Sequence, residues 1–137
     1  MSFADSTAGF APVSVLTRSE LLDHAKHPRN YQKLADADAS QTEVNPLCGD
    51  EVTVYLRTSG EAVIQITFTG KGCLISQAAA SLLSEFTVGK SAADILRMEL
   101  SDMEALIGGA VSPSRAKCAM LALVAIKNGI QQHVVRS

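Results

Sequence analysis

Three cysteines and one aspartate offer this chain its chemistry. Cys48 lies in Asn45-Pro-Leu-Cys-Gly-Asp50, Cys73 in Gly70-Lys-Gly-Cys-Leu-Ile-Ser76, and Cys118 in Arg115-Ala-Lys-Cys118. Three thiolates with the Asp50 carboxylate make a tetrahedral donor set of the kind zinc or iron takes. Thiolates bind metals as anions, which helix starts and nearby cations favour; Cys73 and Cys118 fall near expected helix starts, and Lys117 adjoins Cys118. For iron joined to sulfide, a carboxylate is a harder and weaker ligand than a fourth thiolate. Storage and electron-transfer centres use four cysteines; three cysteines and an aspartate suit a site that releases what it holds. A second reading stands beside this one. A free cysteine is also a small apolar residue, and Cys118 before Ala-Met-Leu-Ala-Leu suits a core. There is no C-x-x-C spacing, and Asp50 also reads as a turn residue.

The elements that must position these residues follow from periodicity. Glu51 to Thr58 and Ala62 to Phe68 alternate polar and apolar residues, and Ser59-Gly60 between them is a turn signal. They predict an antiparallel hairpin. The residue before its first strand and the residue after its second share one end, so Cys48 and Cys73 should be neighbours. Gly49, Gly70 and Gly72 allow the turns and close approaches this needs. Cys118 joins them if the last helix docks its N-terminus at that end.

Around the hairpin, Thr17 to His27 reads as a helix stopped by Pro28, and a weak strand is expected between Ala37 and Val44. Ser76 to Phe86 reads as a helix with a small-residue face, ended by Gly89. Ser91 to Met98 and Ser101 to Ile107 read as short helices with Ser at their starts. Ser112-Pro113 opens a final helix running to about His133. This order predicts an α+β fold, a small antiparallel sheet of about three strands covered on one face by helices. Residues 1–15 are expected to be a flexible segment and 16–137 a single domain.

With 137 residues, 47% of them hydrophobic and no Trp, the chain can bury an aliphatic core. A net charge of −2 and scattered basic residues give no nucleic-acid footprint. No apolar run reaches membrane-span length. Met1 to Val15 holds Asp5 and neither Lys nor Arg, which opposes a secretory or mitochondrial leader and makes the cytoplasm the default. An odd cysteine count opposes a disulfide framework. His24 and His27 read as surface or capping residues, His133 as solvated, Ser76 as a helix cap, and Lys117 as either a charge partner of a thiolate or a solvated lysine.

The three cysteine segments, with Leu22-Asp-His-Ala-Lys-His-Pro-Arg-Asn30, resemble the signatures of the U-type iron–sulfur scaffold family, which includes IscU, SufU and the N-terminal domain of NifU (a SufE/NifU-like fold). The likeness runs from about Leu16 to the C-terminus. It implies that Cys48, Asp50, Cys73 and Cys118 are ligands of a labile [2Fe–2S] cluster or iron, with Zn2+ the alternative occupant. It also implies a cysteine desulfurase as sulfur donor, with apo iron–sulfur proteins or carriers downstream. The protein would be a scaffold or sulfur acceptor rather than a conventional enzyme. Lys117 stands where IscU proteins have His, and Arg115-Ala-Lys117 resembles SufU. The 45 positions from Cys73 to Cys118 resemble IscU instead, while Val111-Ser-Pro-Ser-Arg115 lacks the IscU chaperone-recognition motif. The persulfide acceptor implied is Cys48 for SufU-like chemistry and Cys118 for IscU-like chemistry. Three functions follow: cluster assembly, zinc-dependent sulfur transfer, or a zinc-stabilised adaptor without sulfur chemistry.

Overall fold

The computed structural model describes residues 18–47 and 49–135. Helix α1 (Arg18–Lys26) leads through an irregular segment into strands β1 (Ala39–Asn45), β2 (Asp50–Ser59) and β3 (Ala62–Lys71). Helices α2 (Leu74–Phe86), α3 (Ala92–Leu96), α4 (Leu100–Ile107) and α5 (Pro113–Ile130) follow. The α+β expectation holds: the strands form one antiparallel sheet in the order β1-β2-β3. A two-residue turn, Gly60-Glu61, closes the expected hairpin at the Ser59–Ala62 pair, with Gly60 at φ +63°.

Alternation fixes which face is buried. Val52, Val54 and Leu56 of β2 sit opposite Gly70, Phe68 and Ile66 of β3, and these apolar side chains form the sheet side of the core. Helices α2 and α5 pack against that side. The small residues of α2 serve close packing, since Ala78, Ala79, Ala80, Ser81 and Ser84 are all buried. Gly129 brings α5 onto the sheet, where a Cβ would lie 3.1 Å from Leu56 Cδ1. Asn128 fixes the register of that contact by donating to Glu43 Oε2 on β1 at 2.7 Å.

The outer edge of β3 is closed by chain rather than by another strand. Phe68 N donates to Asn30 O, and Gly89, Lys90 and Ala92 bond the other end through Val63 and Glu61. Capping of this kind protects an edge from stray pairing. No helix among the described residues is long and apolar enough to cross a membrane.

Several local expectations are corrected. Helix α2 starts at Leu74 with Cys73 as its N-cap, so Ser76 lies inside the first turn and donates to Cys73 O at 3.0 Å. The cap of α4 is Glu99, whose capping box with Asp102 replaces the expected Ser101 start. α5 ends at Ile130, and a π-helical turn carries the chain from Gln131 to Val135. His24 is not a surface residue: it is 9% exposed, and its Nδ1 lies 2.8 Å from Ser81 Oγ on α2.

Ser81 Oγ already accepts Arg29 N–H at 2.9 Å, so its own hydroxyl is free to donate to a neutral His24 ring. Burial, reinforced by the Arg29 guanidinium, pushes the His24 pKa below its ordinary value of 6.5. The unfolded chain therefore binds this proton more readily than the folded one. Stability from His24 is intact above pH 6.5 and falls as pH drops from there toward the lowered folded value, by at most about 1.4 kcal/mol per pH unit. Denaturant midpoints of the metal-free protein between pH 7.5 and 5 are expected to fall more steeply in wild type than in His24→Gln. Parallel slopes would show that His24 titrates as it does unfolded.

Candidate metal centre

The site grows from the end of the sheet's buried face. Asn45 and Asp50 are paired partners on β1 and β2, and the intervening loop carries Cys48. Gly49 closes that loop at φ +76°, donating its N–H to Asn45 O at 2.8 Å, and Leu47 N–H bonds Asn45 Oδ1 at 3.2 Å. Cys48 itself lies outside the described residues. Leu47 and Gly49, on either side of it, are exposed.

Asp50 shares the face of Val52, Val54 and Leu56 and is 2% exposed. Its carboxylate reaches across to the connection between β3 and α2. Oδ1 accepts Cys73 N–H at 3.0 Å, and Oδ2 lies 3.6 Å from Cys73 Sγ. This reach requires a glycine. A Cβ at Gly72 would stand 2.7 Å from Asp50 Oδ1 and 2.5 Å from Ser76 Oγ. As N-cap of α2, Cys73 sits at the positive end of that helix.

The third group comes from the last helix. Ser112 and Pro113 start α5, and Cys118 follows in its second turn, 3% exposed. One donor atom each from Asp50, Cys73 and Cys118 all lie within 4.8 Å of one another. Arg115 and Lys117 flank Cys118 on the exposed side of the helix.

The donors fit a metal ion. A tetrahedral ion with metal–sulfur bonds of about 2.3 Å sets its ligand atoms about 3.8 Å apart. The Cys73–Asp50 separation of 3.6 Å meets that spacing, and the remaining pairs need only small side-chain adjustments. Two sulfurs and one oxygen leave one tetrahedral position for a further ligand. Of the sequence-derived site residues, the structure thus brings together Asp50, Cys73 and Cys118. Gly72 makes the close approach expected of it, and Tyr31 is a contact the sequence did not single out. Gly72 is the floor under the Asp50 carboxylate, and the Tyr31 hydroxyl donates to Gly70 O at 2.5 Å and accepts Gly70 N–H at 3.1 Å. No spacing signal could have linked Tyr31 to Gly70 across 39 positions.

Residues 16–137 match the family described as NifU-like N terminal domain. The chain belongs to that family. It is 33% identical over 137 residues to the zinc-dependent sulfurtransferase SufU of Bacillus subtilis, covering 88% of this chain and 92% of SufU. It is 32% identical over 127 residues to the iron–sulfur cluster assembly scaffold protein IscU of Streptococcus pyogenes, covering 80% and 79%. The crystal structure of a NifU-like N-terminal protein from Brucella abortus shares the fold, with a TM-score of 0.73 at 24% identity over 90% of this chain and 96% of that one. The family read from the four sequence motifs and the family matched over residues 16–137 agree.

Gly72→Ala is expected to retain the fold and weaken zinc binding about 10- to 100-fold, because the new methyl displaces Asp50 from Cys73. Competition with a chromophoric chelator measures this; unchanged affinity would separate Gly72 from the site.

Proposed function

We propose that this NifU-like protein assembles iron–sulfur clusters. It accepts sulfur from a cysteine desulfurase, builds a labile [2Fe–2S] cluster on Cys48, Asp50, Cys73 and Cys118, and passes it to apo-proteins. The observation that carries this reading is the gathering of Asp50, Cys73 and Cys118 within 4.8 Å at the hairpin end, beside the Cys48 loop. A buried carboxylate among thiolates gives iron three firm ligands and one weaker one, which suits cargo that must leave.

Sulfur transfer places a demand on access. The acceptor thiolate attacks the outer sulfur of the desulfurase persulfide, a new S–S bond forms, and the desulfurase thiolate leaves. Cys118 is 3% exposed, whereas Leu47 and Gly49 are both exposed. This favours Cys48 as the first acceptor. Mass spectrometry after reaction with desulfurase and cysteine is expected to find the extra sulfur on Cys48 first; a modification confined to Cys118 would reverse the assignment.

A second reading is a zinc-dependent sulfurtransferase. It is favoured by Lys117 before Cys118 and by the similarity to SufU along most of both chains. In that role zinc would be held by the same four residues, keeping the thiolates reduced until the desulfurase docks. Anaerobic incubation with iron, cysteine and desulfurase separates the two readings. Cluster assembly predicts a cluster chromophore that transfers to an apo-ferredoxin. Sulfur transfer predicts tight stoichiometric zinc, stimulated desulfurase turnover and no chromophore.

Asp50→Ala also tests whether the site is more than a structural clip. Loss of the charged acceptor of Cys73 N–H is expected to cost about 1–3 kcal/mol of stability, with a cluster that persists longer than in wild type. A drop in melting temperature with no change in cluster lifetime would favour a zinc-stabilised adaptor.

A further inference from the structure

The stretch from Gly70 to Gly72 has almost no side chain to hold it. A Cβ at Gly70 would lie 2.2 Å from Glu51 O, and one at Gly72 would strike Asp50, so both positions are bare. Lys71 between them is exposed. Yet this stretch ends on Cys73 and sets where its sulfur and N–H stand relative to Asp50. Backbone must therefore do the anchoring. On one side β2 supplies it, through the pairing of Glu51 with Lys71 and Val52 with Gly70. On the other side β3 is the sheet's last strand.

One hydroxyl occupies that open side. Tyr31 OH donates to Gly70 O at 2.5 Å and accepts Gly70 N–H at 3.1 Å, closing both outward groups of one residue as a neighbouring strand would. The phenol is aimed by its ring, which meets Phe68 edge-on with centroids 5.2 Å apart, and by Phe68 N–H bonding Asn30 O at 3.0 Å. Asn30 is itself tied to α2 through Ser84 Oγ at 2.9 Å. Tyr31 is 44% exposed, so water can replace its bonds to Gly70 at little cost to folding. Its hydroxyl contributes geometry more than stability.

We propose that the Tyr31 hydroxyl is a positioning group for the Asp50–Cys73–Cys118 site, clamping the end of β3 so that Cys73 is presented to the bound ion or cluster. This rests on the metal-binding reading above. It implies that metal affinity and ligand geometry depend on a phenol that touches neither the ligands nor their occupant.

The test compares Tyr31→Phe with Asp38→Asn. Tyr31→Phe keeps the ring against Phe68 and loses only the hydroxyl. Asp38→Asn weakens the acceptor of Thr58 N–H, a 2.8 Å bond at the far end of the same hairpin, and serves as a control for general loosening. Zn2+ affinity is read by chelator competition, and site geometry by the sulfur-to-cobalt charge-transfer bands of the Co2+-loaded protein. Tyr31→Phe is expected to lower Zn2+ affinity about tenfold or more and to shift the Co2+ bands, while the melting temperature of its metal-free form stays near wild type. Asp38→Asn is expected to leave affinity and bands unchanged. Equal losses in both variants, or no loss in Tyr31→Phe, would overturn the clamp while leaving the metal site standing. A wild-type protein that binds neither ion would overturn both.

Discussion

The hydrogen bond from Cys73 N–H to the Asp50 carboxylate joins the two halves of this protein's site. Asp50 belongs to the start of β2 and Cys73 to the start of α2, so this bond ties the sheet to the helical layer beside the candidate ligands. Its geometry depends on the whole hairpin. The register that sets Glu51 against Lys71 brings the strand end past Asp50. Gly72 leaves room for the carboxylate, and the N-terminus of α2 faces it. A carboxylate that is 2% exposed is costly unless hydrogen-bonded, paired or bound to a cation. The fold accepts that cost where three donor groups converge.

The core behind the site explains why it stays in place. Helix α2 is buried along most of its length, packed against α1, α5 and β3 by alanines and serines together with Leu82 and Leu83. Close approach of these elements fixes the position of Cys73 at its N-terminus, and Gly129 likewise seats α5 on Leu56. Rigid supports of this kind hold ligand side chains better than loops do. In the β1–β2 loop, by contrast, Leu47 and Gly49 are exposed.

Much of the fold was legible because its signals are periodic and local. The β2–β3 hairpin followed from alternation and the Ser59-Gly60 turn, and the last helix from Ser112-Pro113. Hairpin geometry predicted Cys48 and Cys73 as neighbours; Cys48 lies outside the described residues, and it is Asp50, two positions on, that meets Cys73. The motif resemblance then added Cys118, whose arrival depends on how α5 docks and which no local pattern encodes. What stayed illegible was of the same long-range kind. His24 looked like a surface residue because its partner, Ser81, is 57 positions away. Tyr31 gave no sign of bonding Gly70. The start of α2 was placed two residues late because Cys73, a residue with no side-chain cap bond, takes the N-cap position.

We propose that Cys48, Asp50, Cys73 and Cys118 form one ligand set. X-ray absorption spectroscopy at the zinc edge of the zinc-loaded protein tests it most directly. Three sulfur scatterers at about 2.3 Å and one oxygen at about 2.0 Å are expected, with the oxygen shell altered in Asp50→Ala and one sulfur lost in Cys48→Ser. Two sulfurs with the remaining positions filled by nitrogen or water, and a spectrum indifferent to Cys48, would contradict it.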